Sequence, residues 1–412
     1  DIQAGSLTLG GAFNHSGASS ITAGAITASG GGSGSGTLAL ASGATLSLTG
    51  GTYTLATGTA ITGAGLYQIN GGTVSVNGAV SAGTVALDSG TVNGAGTLSF
   101  TGAMTWTGGS MSDASGTTSV LAGKTLTISG GTAKGLGRLL DNAGTVTWTG
   151  GAINTSGAGT VVTNQAGGQF NIQTDGTISG DGGGNEVITN AGTMTKSVAT
   201  GTTTVASTVT FNNTGTVDLQ TGVLALGGGG ASTGDFTMAA GTRVDFTGAY
   251  TLNAGVDITG AGVAKVVGTT LTIGGAVSAQ NLELPSGTLT GAGTLTTTGT
   301  LTWTGGTMSG SGTTDIAAGG TLAISGGAVT LSPRRLNNFG TINWTGTGNI
   351  NVGGAVLVLD NKAGALFNIQ NDQAIAGDGG GAEQFTNAGT VRKTVATGVT
   401  TVASTVTFDN TG

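Results

Sequence analysis

Six acidic residues set among glycines are the clearest opportunity for chemistry in the chain. Asp175, Asp181 and Glu186 recur as Asp372, Asp378 and Glu383, each trio in a Gly-rich segment. Paired carboxylates can exchange protons in glycosidic cleavage, or bind Ca²⁺ with the help of turn carbonyls, because a hard cation prefers oxygen ligands. Their spacing matches neither the calcium-binding nonapeptide repeat nor an EF-hand loop. The plainer reading makes them solvated loop acids, and no catalytic residue and no cofactor is expected among them. Asp181-Gly182-Gly183-Gly184 is no phosphate loop either, since it lacks a following Lys-Ser/Thr and a helix to open.

The remaining reactive types are sparse. A single histidine, His15, rules out a multi-histidine zinc site within the chain and reads as an exposed loop residue. Of the four tryptophans, Trp106, Trp148 and Trp303 occupy Thr-Trp-Thr-Gly contexts and Trp344 an Asn-Trp-Thr-Gly one. An exposed row of them would stack on sugar rings, but Val146 and Trp148 share one strand face while Thr147 and Thr149 share the other, which points them into a core. Thr-x-Thr pairs such as Thr125 and Thr127 suggest outward threonine rows, too irregular for an ice-binding ladder. Lys196 and Lys393, like Arg138 and Arg334, are matched cations expected to pair with nearby acids or to flank a turn of the chain. Asn14-His15-Ser16, Asn154-Thr155-Ser156 and Asn343-Trp344-Thr345 are acceptor sequons of low specificity.

Something must position these residues, and composition restricts what it is. The 412 residues include 86 Gly, 2 Pro and no Cys, and only 7% are charged. With a mean hydropathy of +0.24, the apolar residues require burial, so the chain is expected to fold without disulfides. The net charge of −7 and scattered cations provide no basic patch for nucleic acid. No apolar run is long enough to cross a bilayer, so no transmembrane segment is expected, and the start at Asp1 instead of Met reads as a processed or excerpted piece. Val, Leu and Ile alternate singly with Thr and Ser, as in Thr45-Leu46-Ser47-Leu48 and Thr73-Val74-Ser75-Val76. Period two with frequent Gly predicts short strands and tight turns and almost no helix.

Self-comparison organises the strands. Phe170-Asn171-Ile172-Gln173 returns as Phe367-Asn368-Ile369-Gln370, an offset of 197 that Trp106 and Trp303 share. Near the start the offset grows to 217, because Gly5-Ser6-Leu7-Thr8-Leu9-Gly10 matches Gly222-Val223-Leu224-Ala225-Leu226-Gly227, so a block one coil long separates the copies. The predicted organisation is a first long repeat over 1–217, with one extra coil near residues 10–40, and a second over 218–412, truncated at its end. Asn142, Asn164, Asn190 and Asn213 follow one another at coil-like intervals, and Asn338, Asn361, Asn387 and Asn410 repeat those intervals almost unchanged. Each lies just before a Gly and a strand, as expected of a corner that needs left-handed backbone. A coil of roughly 21 residues predicts an all-β, parallel β-solenoid of about 20 coils, roughly 95 Å long at about 4.8 Å per coil.

Phe170-Asn171-Ile172-Gln173, the Ile178-Ser179-Gly180-Asp181-Gly182-Gly183-Gly184 run, Thr189-Asn190-Ala191-Gly192-Thr193 and Asn212-Asn213-Thr214-Gly215-Thr216-Val217 resemble the β-strand repeats of bacterial surface proteins, namely filamentous-haemagglutinin-like adhesins and autotransporter passenger β-helices. The resemblance covers essentially the whole chain and rests on repeat texture. It implies a right-handed parallel β-helix, export to the cell surface, and adhesion or surface architecture without enzymatic activity. The expected function is a structural part of an extracellular fibre or stalk. Its expected partners are further copies of the same repeat, in cis or end to end. The alternative is an adhesin that binds glycans or host surfaces through side loops.

Overall fold

The computed structural model describes residues 4–157, 159–183, 186–354, 358–380 and 383–412. The chain is a parallel β-solenoid of about 19 turns, close to the 20 expected; among the described residues 57% are strand and none is helical. By its contacts it divides into two compact units, Asp1–Thr216 and Val217–Gly412.

Within each unit most strands bond the strand three places further on, so that a turn of chain contributes one strand to each of three faces, except where a long strand runs around a corner. Thr97–Phe100 pairs in parallel with Thr117–Val120, and that strand with Leu139–Asn142. Along another face of the first unit, Tyr67, Val85, Met104, Leu126, Val146, Phe170 and Met194 are successive partners, each one turn of chain beyond the last. Alternation explains why these residues form these strands. In Thr125–Ile128 and Thr145–Trp148 the apolar residues are buried and the threonines lie outward. A one-residue slip would exchange the two sets, so burial fixes the register.

The two units build one of their columns alike. Trp106, Ile128, Trp148, Ile172 and Lys196 stack in register in the first unit. Trp303, Ile324, Trp344, Ile369 and Lys393 do the same in the second. Alternating a large indole with a smaller branched side chain fills a narrow interior, and all four tryptophans are fully buried.

Turns follow from glycine. At Leu121–Lys124 the Lys124 amide donates to the Leu121 carbonyl and Gly123 has φ +74°, which Gly adopts at no steric cost. The asparagines, expected to supply left-handed corners, do not. The described non-glycine residues with positive φ are Asp113, Val198 and Val395, and the eight asparagines instead close strands, all but the exposed Asn410 with buried side chains.

Candidate functional site

Asp175 and Asp372, two of the six calcium candidates, are taken by lysine. Lys196 Nζ donates to Asp175 Oδ1 (2.8 Å) and to Thr203 Oγ1 (2.9 Å), while Thr203 Oγ1 donates to the Thr174 carbonyl. The Gly201 amide donates to Asp175 Oδ2 (3.0 Å). The second unit repeats this lock: Lys393 meets Asp372 and Thr400, and the Gly398 amide donates to Asp372 Oδ2. Hydrogen bonds from the lysines hold both Asp carboxyls below the usual carboxylate range, with help from the Gly201 and Gly398 amides. Each lysine is the register partner of the isoleucine that follows the second tryptophan of its column, Ile172 for Lys196 and Ile369 for Lys393.

The lock braces an unusual loop. Val198 has φ +73° and is 69% exposed; Val395 has φ +50° and is 79% exposed. A β-branched residue with positive φ is an outlier held by its surroundings. Here the Lys–Asp pair and the Gly amide hold both ends of the loop.

Asp181 and Glu186 part company in burial. Asp181 is exposed and caps its own turn, its Oδ1 accepting from the Gly183 amide (2.9 Å). Glu186, a solvated loop acid on the sequence reading, is instead 0% exposed, because it opens the strand Glu186–Asn190 on an inward position. Its carboxylate fills the place beside Gly180 where any side chain would project. Asp378 and Glu383 repeat the arrangement, with Glu383 1% exposed. Among the described residues no three His, Cys, Asp or Glu side chains converge as a metal-holding group.

The strongest polar constructions are ones the sequence reading placed elsewhere. Asn142, Asn164, Asn190 and Asn213 form a buried ladder, each Nδ2 donating to the next Oδ1 at 2.7 Å. Asn338, Asn361, Asn387 and Asn410 form its counterpart. An amide carries both a donor and an acceptor, so it can pass a hydrogen bond up a column of like residues. The even coil spacing of these asparagines was the signal for it. The glycines beside the ladder, Gly168, Gly192 and Gly215, let backbones of adjacent turns approach where a Cβ would strike a carbonyl or a ladder amide.

Arg138 and Arg334, expected to pair with acids or flank a turn, are buried and bind backbone. Arg138 Nη2 donates to the carbonyls of Gly96 (2.6 Å) and Thr117 (2.9 Å), two turns of chain at once. Arg334 Nη2 reaches Gly293 and Thr313 in the same way, and its Nε donates to Thr314 Oγ1. Burial brings both guanidinium groups down to about 10, partly offset by Asp113 and Asp315.

His15 corrects the sequence reading too. It lies in the strand Phe13–His15, 7% exposed, tilted against Phe13 and Tyr53, and burial lowers its pKa. The buried tryptophans present no face to a sugar. Of the sequons, Asn14 accepts from Ser33, Asn154 from Ser179, and Asn343 from Asn368. No family model, no curated protein sequence and no solved structure matches the chain.

Proposed function

We propose that the chain is a non-enzymatic structural segment of an extracellular bacterial fibre or stalk, a tandem-repeat solenoid whose work is to span distance. The observation that carries this reading is the duplication of interior devices. The tryptophan–isoleucine column, the asparagine ladder, the backbone-binding arginine and the lysine lock occur in both units in the same order. Such devices serve to hold adjacent turns in register. Duplicating them whole adds length. Stacked turns gain stability from nearest neighbours, so an array extends by adding repeats in cis, or copies end to end. A chain with 7% charged residues and no basic patch fits such a spacer.

Immunogold labelling of intact source cells, with an antibody against the purified chain, tests this placement. Gold is expected outside the envelope and lost on brief protease treatment of whole cells. Labelling that requires permeabilised cells would overturn a surface role.

A second reading, an adhesin that binds through side loops, draws support from the exposed valines Val198 and Val395 in their braced loops. On that reading, replacing both by Asp abolishes binding of the purified chain to surface glycans. On the spacer reading the substitution changes nothing but the loops.

A further inference from the structure

Buried Glu186 presents a difficulty that its own chain does not resolve. Its Oε1 accepts one long hydrogen bond from the Asp181 amide (3.3 Å), and its Oε2, shut away from solvent, has no partner. Glu383 Oε2 is equally unpartnered. A carboxylate oxygen removed from water without a donor is costly, and the cost recurs in the second unit with the same neighbours.

Beyond the Asp181 amide, oxygens stand close to the carboxyl. The Asp181 carboxylate lies within hydrogen-bonding reach of the Glu186 carboxyl, and that of Asp378 within reach of Glu383. The Thr208 hydroxyl accepts from the Gly180 amide (2.8 Å), on the glycine against which Glu186 rests. In the second unit Thr405 Oγ1 accepts from the Gly377 amide (3.1 Å). The point where a Cβ of Gly377 would stand is 2.7 Å from Thr405 Oγ1 and 3.3 Å from Glu383 Oε2. Glycine at 180 and 377 thus gives room to Glu186 in the first unit, and to Thr405 and Glu383 in the second, where an alanine methyl would collide with them. Asp181 also lines an open hollow with Asn154, Thr155, Ser156 and Ser179, which gives water and ions a way in.

We propose that each unit binds one hard divalent cation of the calcium class, between the Asp181 and Glu186 carboxylates with Thr208 in the first, and between Asp378 and Glu383 with Thr405 in the second. The cation supplies the positive partner that Glu186 Oε2 and Glu383 Oε2 lack and relieves the repulsion between the paired carboxylates; waters complete its shell. Two carboxylates and a hydroxyl form a weak site, with a dissociation constant on the order of 10⁻⁴–10⁻³ M, suited to millimolar calcium. Asp175 and Asp372, committed to their lysines, take no part. The two sites belong to the fold and stand whether or not the chain is a surface stalk.

Calorimetric titration of the whole chain with CaCl₂, beside melting curves in calcium and in chelator, tests this. Two ions per chain and a melting temperature that rises with calcium and reverts with chelator are expected. Asp181→Asn, at an exposed position that leaves folding intact, should remove one of the two ions, or weaken it tenfold or more, and Glu186→Gln should do the same. Asp175→Asn should retain both. Absence of binding at 10-fold excess over about 1 mM calcium, or binding that Asp181→Asn and Asp378→Asn together leave unchanged, overturns the proposal and leaves each carboxyl pair sharing a proton.

Discussion

At the scale of single residues, the protein is held by polar groups that face inward. Asn164 joins Asn142 to Asn190 and also donates to the Thr193 carbonyl. Replacing it with Ala leaves several buried groups unsatisfied and should cost about 2–3 kcal/mol. Asn164→Asp should cost more at neutral pH, because a carboxylate has no hydrogen to pass to Asn190 and carries an unpaired buried charge; chemical denaturation of both variants ranks them. Arg138→Ala, which frees the carbonyls of Gly96 and Thr117, should cost roughly 3 kcal/mol. Acid acts through Asp175 and Asp372. Their folded pKa values are depressed, so their contribution is present above the unfolded value of about 3.9 and fades as pH falls through the folded one. Melting temperature should therefore drop below about pH 4, and Asp175→Asn with Asp372→Asn should flatten that fall. These roles were only partly legible beforehand. The coil-length spacing of the asparagines was plain in the sequence, but whether an amide at the end of a strand points in or out depends on strand phase. Arg138 and Glu186 were misplaced for a related reason: charge alone predicts solvent, and only the fold reveals carbonyls or a glycine gap able to receive it.

At the scale of elements, strands were the most readable feature because period-two alternation and burial impose the same register. Thr145-Val146-Thr147-Trp148 announces both its strand and its buried indole, and the structure places them so. Trp148 stacks between Ile128 and Ile172. Trp148→Ala should open a cavity costing about 3–5 kcal/mol, seen as an earlier unfolding midpoint. What the alternation could not convey is where a strand continues around a corner. Ala60–Val76 and Ala79–Asn93 run as single long strands through glycines that otherwise read as turns. Coil length gives a second test. Ala25 is the register partner of Thr45, so residues 25–44 make one full turn. Their deletion should leave Ser6–Leu9 facing Thr45–Leu48 and give a folded protein with cooperative melting. Deletion of 25–34 alone should disrupt the turns around it and yield a visibly less cooperative transition.

For the whole molecule, the central claim is that a repeated solenoid spans distance by adding turns. The long internal repetition was readable from the sequence alone, since each copy must present the same apolar side to its neighbours. The most direct test is electron microscopy of purified chains carrying one, two and four copies of the long repeat. Straight particles are predicted, lengthening by roughly 45 Å per added copy at about 4.8 Å per turn. Compact particles whose diameter grows only slowly with copy number would contradict the account.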